Sequence, residues 1–247
     1  MNHQSKIQLN IENLKTFWSA CGMTTFTTPN NSTLHTSTSW PNRVWFDFED
    51  DPTDADMICM FNQIEQVDEP FKAPFWHADN NHIHDTFVNN GYEIGMTQEL
   101  MGMKINQDTF LECTLDLKDV RDEKSSELWA SIAGDSFGYP IHSPVILGLV
   151  DLPGFHLSIA YDNDTPVGTG LLVQTANIAG IHMIGVPPAH RRKGYARQIM
   201  HGLLNRAAQM GCDSSTLQAS AAGASLYLQL GYESHGPIHT YRKKQEK

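Results

Sequence analysis

Between Ile178 and Met210 the chain changes its hydrophobic period once, and that change narrows the fold more than any other stretch. Residues 178–186 form an apolar run of strand length, which the pair Pro187-Pro188 ends because proline has no N–H to give a sheet ladder. From Gly194 onward Tyr195, Ile199, Leu203, Leu204 and Ala207 fall on one helical face, and Gly211 supplies a residue suited to ending a helix. A strand that feeds a helix through a short loop belongs to a mixed α/β sheet.

The loop between them has a chemistry of its own. A helix start presents unpaired backbone N–H groups and roughly +0.5 of an elementary charge, which together suit a phosphate. Gly194 and Ala196 keep side-chain bulk off the backbone there, and Arg191, Arg192 and Lys193 add charge where the dipole already points. Residues 186–196 therefore read as a pyrophosphate site. Taken alone, Arg-Arg-Lys reads equally as a solvated basic cap.

Around this unit the second half reads as helix over 119–133, loop over 134–140 and a short helix over 144–150. A hairpin follows, with strands over 155–161 and 167–174 joined by the turn residues 162–166. Beyond Gly211 come a strand over 215–219, a helix over 222–230 closed by Gly231, and a last strand from Tyr232 towards Tyr241.

The first half repeats this order more faintly. Ile11, Leu14, Phe17 and Trp18 suggest a helix, residues 24–28, 33–40 and 43–48 suggest strands, and 54–67 suggests a helix. A strand over 73–77, a helix over 82–89 and a strand over 92–105 follow. His-Asp-Thr-Phe-Val-Asn-Asn-Gly-Tyr-Glu from residue 84 matches Ser-Leu-Tyr-Leu-Gln-Leu-Gly-Tyr-Glu from residue 225 in its helix, Gly-Tyr-Glu, strand order. We read an internal duplication, with units over 1–110 and 114–247 and a linker near 106–113.

Charge supports two unlike halves. Residues 1–112 hold five Lys/Arg against sixteen Asp/Glu, whereas residues 113–247 hold twelve of each. Neither half has the positive field that nucleic acid requires, so a nucleic-acid partner is not expected. The longest apolar runs fall well short of the roughly 20 residues of a membrane span, so no membrane partner is expected either. The first ten residues lack the basic then apolar order of a secretory signal. Cys21, Cys59, Cys113 and Cys212 are scattered, as in reduced thiols of a cytoplasmic protein. His77, His82 and His84 gather beside Asp79 and Asp85, but a helix over 82–89 turns His82 and His84 to different faces. A surface polar cluster is expected there, and no metal.

The wider spacing Val-x-Pro-x-x-Arg-x-x-Gly-x-Ala, at Val186, Pro188, Arg191, Gly194 and Ala196, resembles the acetyl-CoA signature of the GNAT superfamily of N-acyltransferases. Residues 217–232 resemble the family's later segment, in which a strand leads to a helix with a tyrosine four residues before Gly-Phe or Gly-Tyr. Many members carry an asparagine near Gly223 or Ala224, and this chain does not. The resemblance spans residues 119–241 and implies a mixed α/β, GNAT-like fold, here in tandem. It implies acetyl-CoA as co-substrate, lying between diverging strands that end at Val186 and Ala219. The binding set it implies is Ile184, Gly185, Val186, Arg191, Arg192, Lys193, Gly194, Tyr195, Ala196 and Ser225. It further implies transfer of an acetyl group to a primary amine of a small molecule or peptide, by a monomer or homodimer. Transfer of a larger acyl group, or acyl-CoA sensing without catalysis, are the other functions the motif admits.

Tyr227 aligns with the tyrosine that protonates the leaving thiolate, and a phenol stays protonated at neutral pH. The other reading of Tyr227 is core on an apolar helix face. His182 lies four residues before Val186, so an unbroken strand turns it to the face of Ile184 and Val186. Arylalkylamine N-acetyltransferases resemble this chain in having a histidine at that offset, where it takes up protons through water. A structural histidine is the equal alternative. In the first half residues 49–56 bring five carboxylates to the corresponding helix start, which repel a pyrophosphate. That half is expected to bind no CoA and to wall the acceptor site, with Trp40, Trp45, Phe75 and Trp76 as candidates.

Overall fold

The computed structural model describes residues 3–28, 30–37, 39–47, 52–65, 71–76, 81–106 and 110–244. The first half holds helix α1 (His3–Ala20), strands β1 (Met23–Thr27), β2 (Thr33–Ser37) and β3 (Val44–Asp47), and helix α2 (Asp54–Glu65). Strand β4 (Ala73–Phe75), helix α3 (Asn81–Asn89) and strand β5 (Tyr92–Lys104) complete it. The second half runs β6 (Asp116–Asp119), α4 (Glu123–Phe137), α5 (Ser143–Leu149), β7 (Phe155–Asp162), β8 (Thr165–Thr175) and β9 (Ile178–Gly185). It ends with α6 (Tyr195–Gln209), β10 (Ser214–Ala219), α7 (Ala224–Gln229) and β11 (Glu233–Lys243).

β1, β2 and β3 form a small antiparallel sheet of their own. The main sheet has eight strands in the order β4-β11-β5-β10-β9-β8-β7-β6. Its neighbours are antiparallel except β9 and β10, which are parallel because α6 carries the chain back between them. β5 sits between β10 and β11, so this sheet crosses the boundary expected near 106–113 and draws two strands from before it. Its long register with β11, from Tyr92 opposite Lys243 to Gly102 opposite Glu233, ties the two halves through backbone hydrogen bonds.

Helices cover both faces. On one side α4 and α5 bury Trp129, Ile132, Ile146 and Leu149, and α1 buries Ile11, Leu14 and Phe17 in the same cluster. On the other, α6 buries Ile199, Met200, Leu203 and Leu204 against β8, β9 and β10. Side chains of this size each contribute roughly 1.5–3 kcal/mol on burial. A third cluster, with Phe61, Phe87 and Tyr92, joins α2 and α3 to β4 and β5.

Two expected boundaries move. The helix read over 119–133 begins instead at Glu123, where Asp122 and Ser125 form a reciprocal capping box. Residues 116–119 are freed to form β6, paired with β7. The helix also continues through the expected loop to Phe137 and stops at Gly138, which takes the left-handed conformation (φ 78°) and donates its N–H to the Gly134 carbonyl. Residues 77–80 of the histidine cluster, residues 48–51 of the acidic run and residues 107–109 of the linker lie outside the described residues.

Candidate active site

β9 and β10 pair only over their first residues, Ser214 to Ile178, Ser215 to Ala179 and Thr216 to Gly180. Beyond that point β9 stays with β8 and β10 stays with β5. The two strands therefore part into a V, with residues 181–185 on one arm and 217–219 on the other.

A bulge shapes the β9 arm. Thr169 lies opposite Gly185 and Leu171 opposite His182, so β9 has one residue more than β8 between these pairs. Met183 takes up the excess in a left-handed conformation (φ 53°), and Thr169 Oγ1 donates to its carbonyl at 3.1 Å. The bulge breaks the alternation of an unbroken strand. Ile184 and Val186 pack with the α6 cluster, while His182 stacks on Phe17 of α1 at 5.1 Å between ring centroids. The expectation that His182 shares a face with Ile184 and Val186 is thus corrected.

Two asparagines of α1 lie beneath the fork of the V, both fully buried. Asn10 Nδ2 donates to the carbonyls of Met101 on β5 (3.0 Å) and Leu217 on β10 (3.1 Å), and its Oδ1 accepts from Gln218 at 2.6 Å. Asn13 Nδ2 donates to the Val173 carbonyl and Thr175 Oγ1 on β8, each at 2.9 Å. That leaves Asn13 Oδ1 as acceptor for His182 Nε2, 2.9 Å away. The pair gives the splayed strands the partners they no longer give each other. Gly180, at the fork, makes room for this, because a Cβ there overlaps Asn13 Oδ1.

His182 is 6% exposed. Burial pushes its imidazole down to about 4, and a hydrogen bond that the ring gives to the Gln218 side chain pulls the other way. It is neutral at physiological pH.

Past β9 the loop residues alternate in handedness. Arg191 has φ −65°, Arg192 +63° and Gly194 +82°. Such alternation turns successive N–H groups into a common hollow that suits an anion. Gly194 is the N-cap of α6 and, among the described residues, no side chain caps it. Arg192, Lys193 and Gly194 are exposed, and Ala196 lies in the first turn of α6. Arg191 is engaged differently. Its Nε donates to the Val186 carbonyl (3.1 Å) and its Nη2 to the Ser136 carbonyl near the end of α4 (2.8 Å). It thereby ties the loop and the β9 arm to α4. Tyr195 donates its hydroxyl to Asp162 in the β7–β8 turn at 2.6 Å.

On the other arm, α7 follows β10 and carries Ser225, which is exposed, and Tyr227, half-buried. The Tyr227 ring lies over Gly223, where a Cβ would approach it to 2.9 Å, and meets Tyr232 edge-on at 5.9 Å. Burial pushes the Tyr227 phenol up to about 12. Among the described residues its hydroxyl has no hydrogen-bond partner, which leaves its proton available. The fold thus sets Tyr227 on the β10 side of the V and the loop with Gly194 on the β9 side.

Asn10, Asn13 and Phe17 are contributions that the sequence reading missed. Their signal was present: they share one helical face with Leu14, so two amides stand inside an apolar stripe.

The acetyltransferase (GNAT) family model matches residues 121–232. Among solved structures, a GCN5-related N-acetyltransferase from Kribbella flavida is 15% identical with a TM-score of 0.69, over 94% of this chain and 93% of that one. A GCN5-related N-acetyltransferase from Sphaerobacter thermophilus is 14% identical at TM-score 0.63, over 87% and 78% of the two chains. A conserved protein of unknown function from Staphylococcus epidermidis is 15% identical at TM-score 0.63, over 90% and 93%. No curated protein matches the sequence. At these identities the solved structures establish a shared fold that includes the first half. With the family match over the V, the loop and α7, residues 121–232 are an acetyltransferase domain of the GNAT family.

Proposed function

We propose that the protein moves an acetyl group from acetyl-CoA to a primary amine of a small molecule or peptide. The observation that carries this reading is the parting of β9 and β10 above Gly180, next to an uncapped left-handed Gly194 at the start of α6. An extended acyl-pantetheine arm fits between strands that have stopped pairing. Backbone groups of Ile184, Gly185 and Val186 on the edge that β10 has left offer it hydrogen bonds, and the N–H groups from Arg192 to Ala196 suit its pyrophosphate. Arg192 and Lys193 add positive charge, while Arg191 holds the loop in place. Ser225 and Tyr195 flank this path.

The thioester supplies an activated acyl carbon, which a neutral amine attacks to form the amide and release a thiolate. Tyr227 gives that thiolate its proton, and the proton that the nitrogen loses on becoming an amide passes through solvent and restores the phenol. Its phenol, raised to about 12, holds its proton at neutral pH, and because a free thiol titrates well below it, near 8.5, transfer to the thiolate proceeds together with return of the amine's proton rather than leaving a phenolate. His182 has a positioning role in this scheme, since its Nε2–H is bound to Asn13 and its charged form is disfavoured. The first half, with α1 bracing the fork, is assigned no CoA site of its own. Cytoplasmic operation accords with cysteines that form no disulfide among the described residues.

The test is thiol release from acetyl-CoA with a panel of primary amines, read beside mass spectrometry of the acylated product. Thiol release that depends on amine supports the reading. Tight CoA binding without turnover on any amine overturns catalysis, and faster turnover with succinyl-CoA overturns the acetyl assignment.

A further inference from the structure

Where the first half meets the turn between α4 and α5, two cations stand side by side. Arg43 and Lys72 form an isolated parallel bridge, and backbone bonds from Val44 to Lys72 (3.1 Å) and from Lys72 to Asn42 (3.0 Å) hold them as neighbours. Lys72 Nζ lies 5.6 Å from the centre of the Tyr139 ring. Arg43 acts on the same phenol, opposing the burial that raises it. Both side chains are half-buried. Burial lowers the Lys72 ammonium, and repulsion from Arg43 and Arg242 lowers it further.

Among the described residues neither cation has a carboxylate partner. The one hydrogen bond of the Arg43 guanidinium among the described residues goes to the Pro41 carbonyl at 3.1 Å. Lys6, Lys15, Arg242 and Lys243, by contrast, pair with Glu233, Asp47, Glu93 and Glu65. Acidic residues outnumber basic ones by 28 to 17 in this chain, so an unmatched pair does not follow from a shortage of acids. The pair is also connected to the V. Pro41 adjoins Trp40, Trp40 meets Phe17 edge-on at 6.0 Å, and Phe17 stacks on His182.

We propose that Arg43 and Lys72 receive an anionic group, a carboxylate or a phosphoryl group, on the same molecule whose amine is acylated. Holding two like charges together while partly desolvated is costly, and an oxyanion between them removes both the repulsion and the lack of a partner. Arginine offers a planar fork for such a group and lysine a point charge, while Tyr139 supplies an apolar wall. The acceptor class is thus amines that also carry an acid, as amino acids, short peptides and aminoalkyl phosphates do, and not polyamines. This inference rests on the acyl-transfer reading above.

The experiment compares the parent with Lys72→Gln, Arg43→Gln and the double variant, each checked for an unchanged melting temperature. The amines are matched pairs, glycine with glycinamide, glycylglycine with its amide, and phosphoethanolamine with ethanolamine. The parent should favour the acidic member, and the variants should raise its KM about 10–100-fold while leaving the neutral member unchanged. Phosphoethanolamine against glycine tells phosphoryl from carboxylate. A parent that prefers the neutral members, or variants that slow both members equally, overturns the proposal. Lys72→Gln is the safeguard, because its ammonium makes no hydrogen bond that the fold depends on. A second arm needs no turnover: titration calorimetry of the CoA-saturated protein with inorganic phosphate should find binding that the double variant loses. Phosphate binding unchanged by the double variant also overturns the proposal. If phosphate binding depends on the pair but no amine is turned over, the acyl-transfer reading fails and the anion site stands.

Discussion

Asn13 Oδ1 accepts from His182 Nε2 at 2.9 Å, across 169 residues of sequence, and so joins the first helix of the chain to the arm of the V. The amide of Asn13 is spent on β8, so this contact sets the tautomer of His182 and keeps its ring against Phe17. Several measurable consequences follow from that arrangement and from the loop and α7 around it.

His182 should not produce an inflection in kcat/KM between pH 6 and 7.5, because its folded pKa of about 4 lies below the ordinary value of about 6.5. A depressed histidine also links stability to pH. Between the two values the unfolded chain binds more protons than the native one, so stability is full above about 6.5 and falls as the pH drops towards 4. The expected loss over that window is about 3 kcal/mol, and chemical denaturation at pH 7 and pH 4 in the parent and in His182→Gln isolates it. An inflection near 6 to 7.5 that vanishes in a well-folded His182→Gln would return the proton-accepting role to this residue.

Asn13→Ala removes a donor to the Val173 carbonyl and the acceptor for His182, both buried. We expect about 2–4 kcal/mol of destabilisation, since unmet buried groups bear their full desolvation cost. Gly180→Ala attacks the same junction from the sheet side by pushing a methyl into Asn13. The double variant should be less destabilised than the sum of the two singles, because Asn13→Ala clears the space that the new methyl needs. Strict additivity in urea melts would show that the two residues do not share this site.

Tyr227→Phe should lower kcat about 100-fold with little change in the Kd of acetyl-CoA, because the hydroxyl acts only when the thiolate leaves. The ring keeps its place over Gly223 and against Tyr232, so the melting temperature should hold. An unchanged kcat, with the chemical step limiting turnover, would reduce Tyr227 to packing.

The three basic residues of the loop should separate by ligand. Arg192→Ala and Lys193→Ala remove exposed charge and should weaken CoA but not pantetheine, which lacks the pyrophosphate. Arg191→Ala releases the Val186 and Ser136 carbonyls and should weaken both. The salt dependence of CoA binding should flatten in the first two variants and persist in the third. Calorimetric titration at two ionic strengths decides this, and equal losses in all three would give Arg191 a direct phosphate contact instead.

Much of the second half was legible in the residues themselves, because its signals are local. Pro187-Pro188 end a strand through a missing donor, Gly194 and Gly211 bound a helix through their freedom at positive φ, and the period between them is helical. These choices are made over a few neighbouring residues. The capping box of Asp122 and Ser125 is equally local and was available to be read.

The tertiary structure alone decided the rest, since it depends on pairs far apart in the chain. Period two along β9 turns His182 towards Val186, but register against β8 leaves one residue over at Met183, and the bulge reverses the side. No window of sequence contains both strands of that register. The fork of the V likewise rests on Asn10 and Asn13, which become functional only when α1 meets β5, β8 and β10. β5 lies between β10 and β11 because backbone pairing rewards an edge wherever one is open, regardless of which half supplies the strand. Local propensity therefore set the loop and the helix after it, while long-range register and buried hydrogen bonding set which side chains face the V.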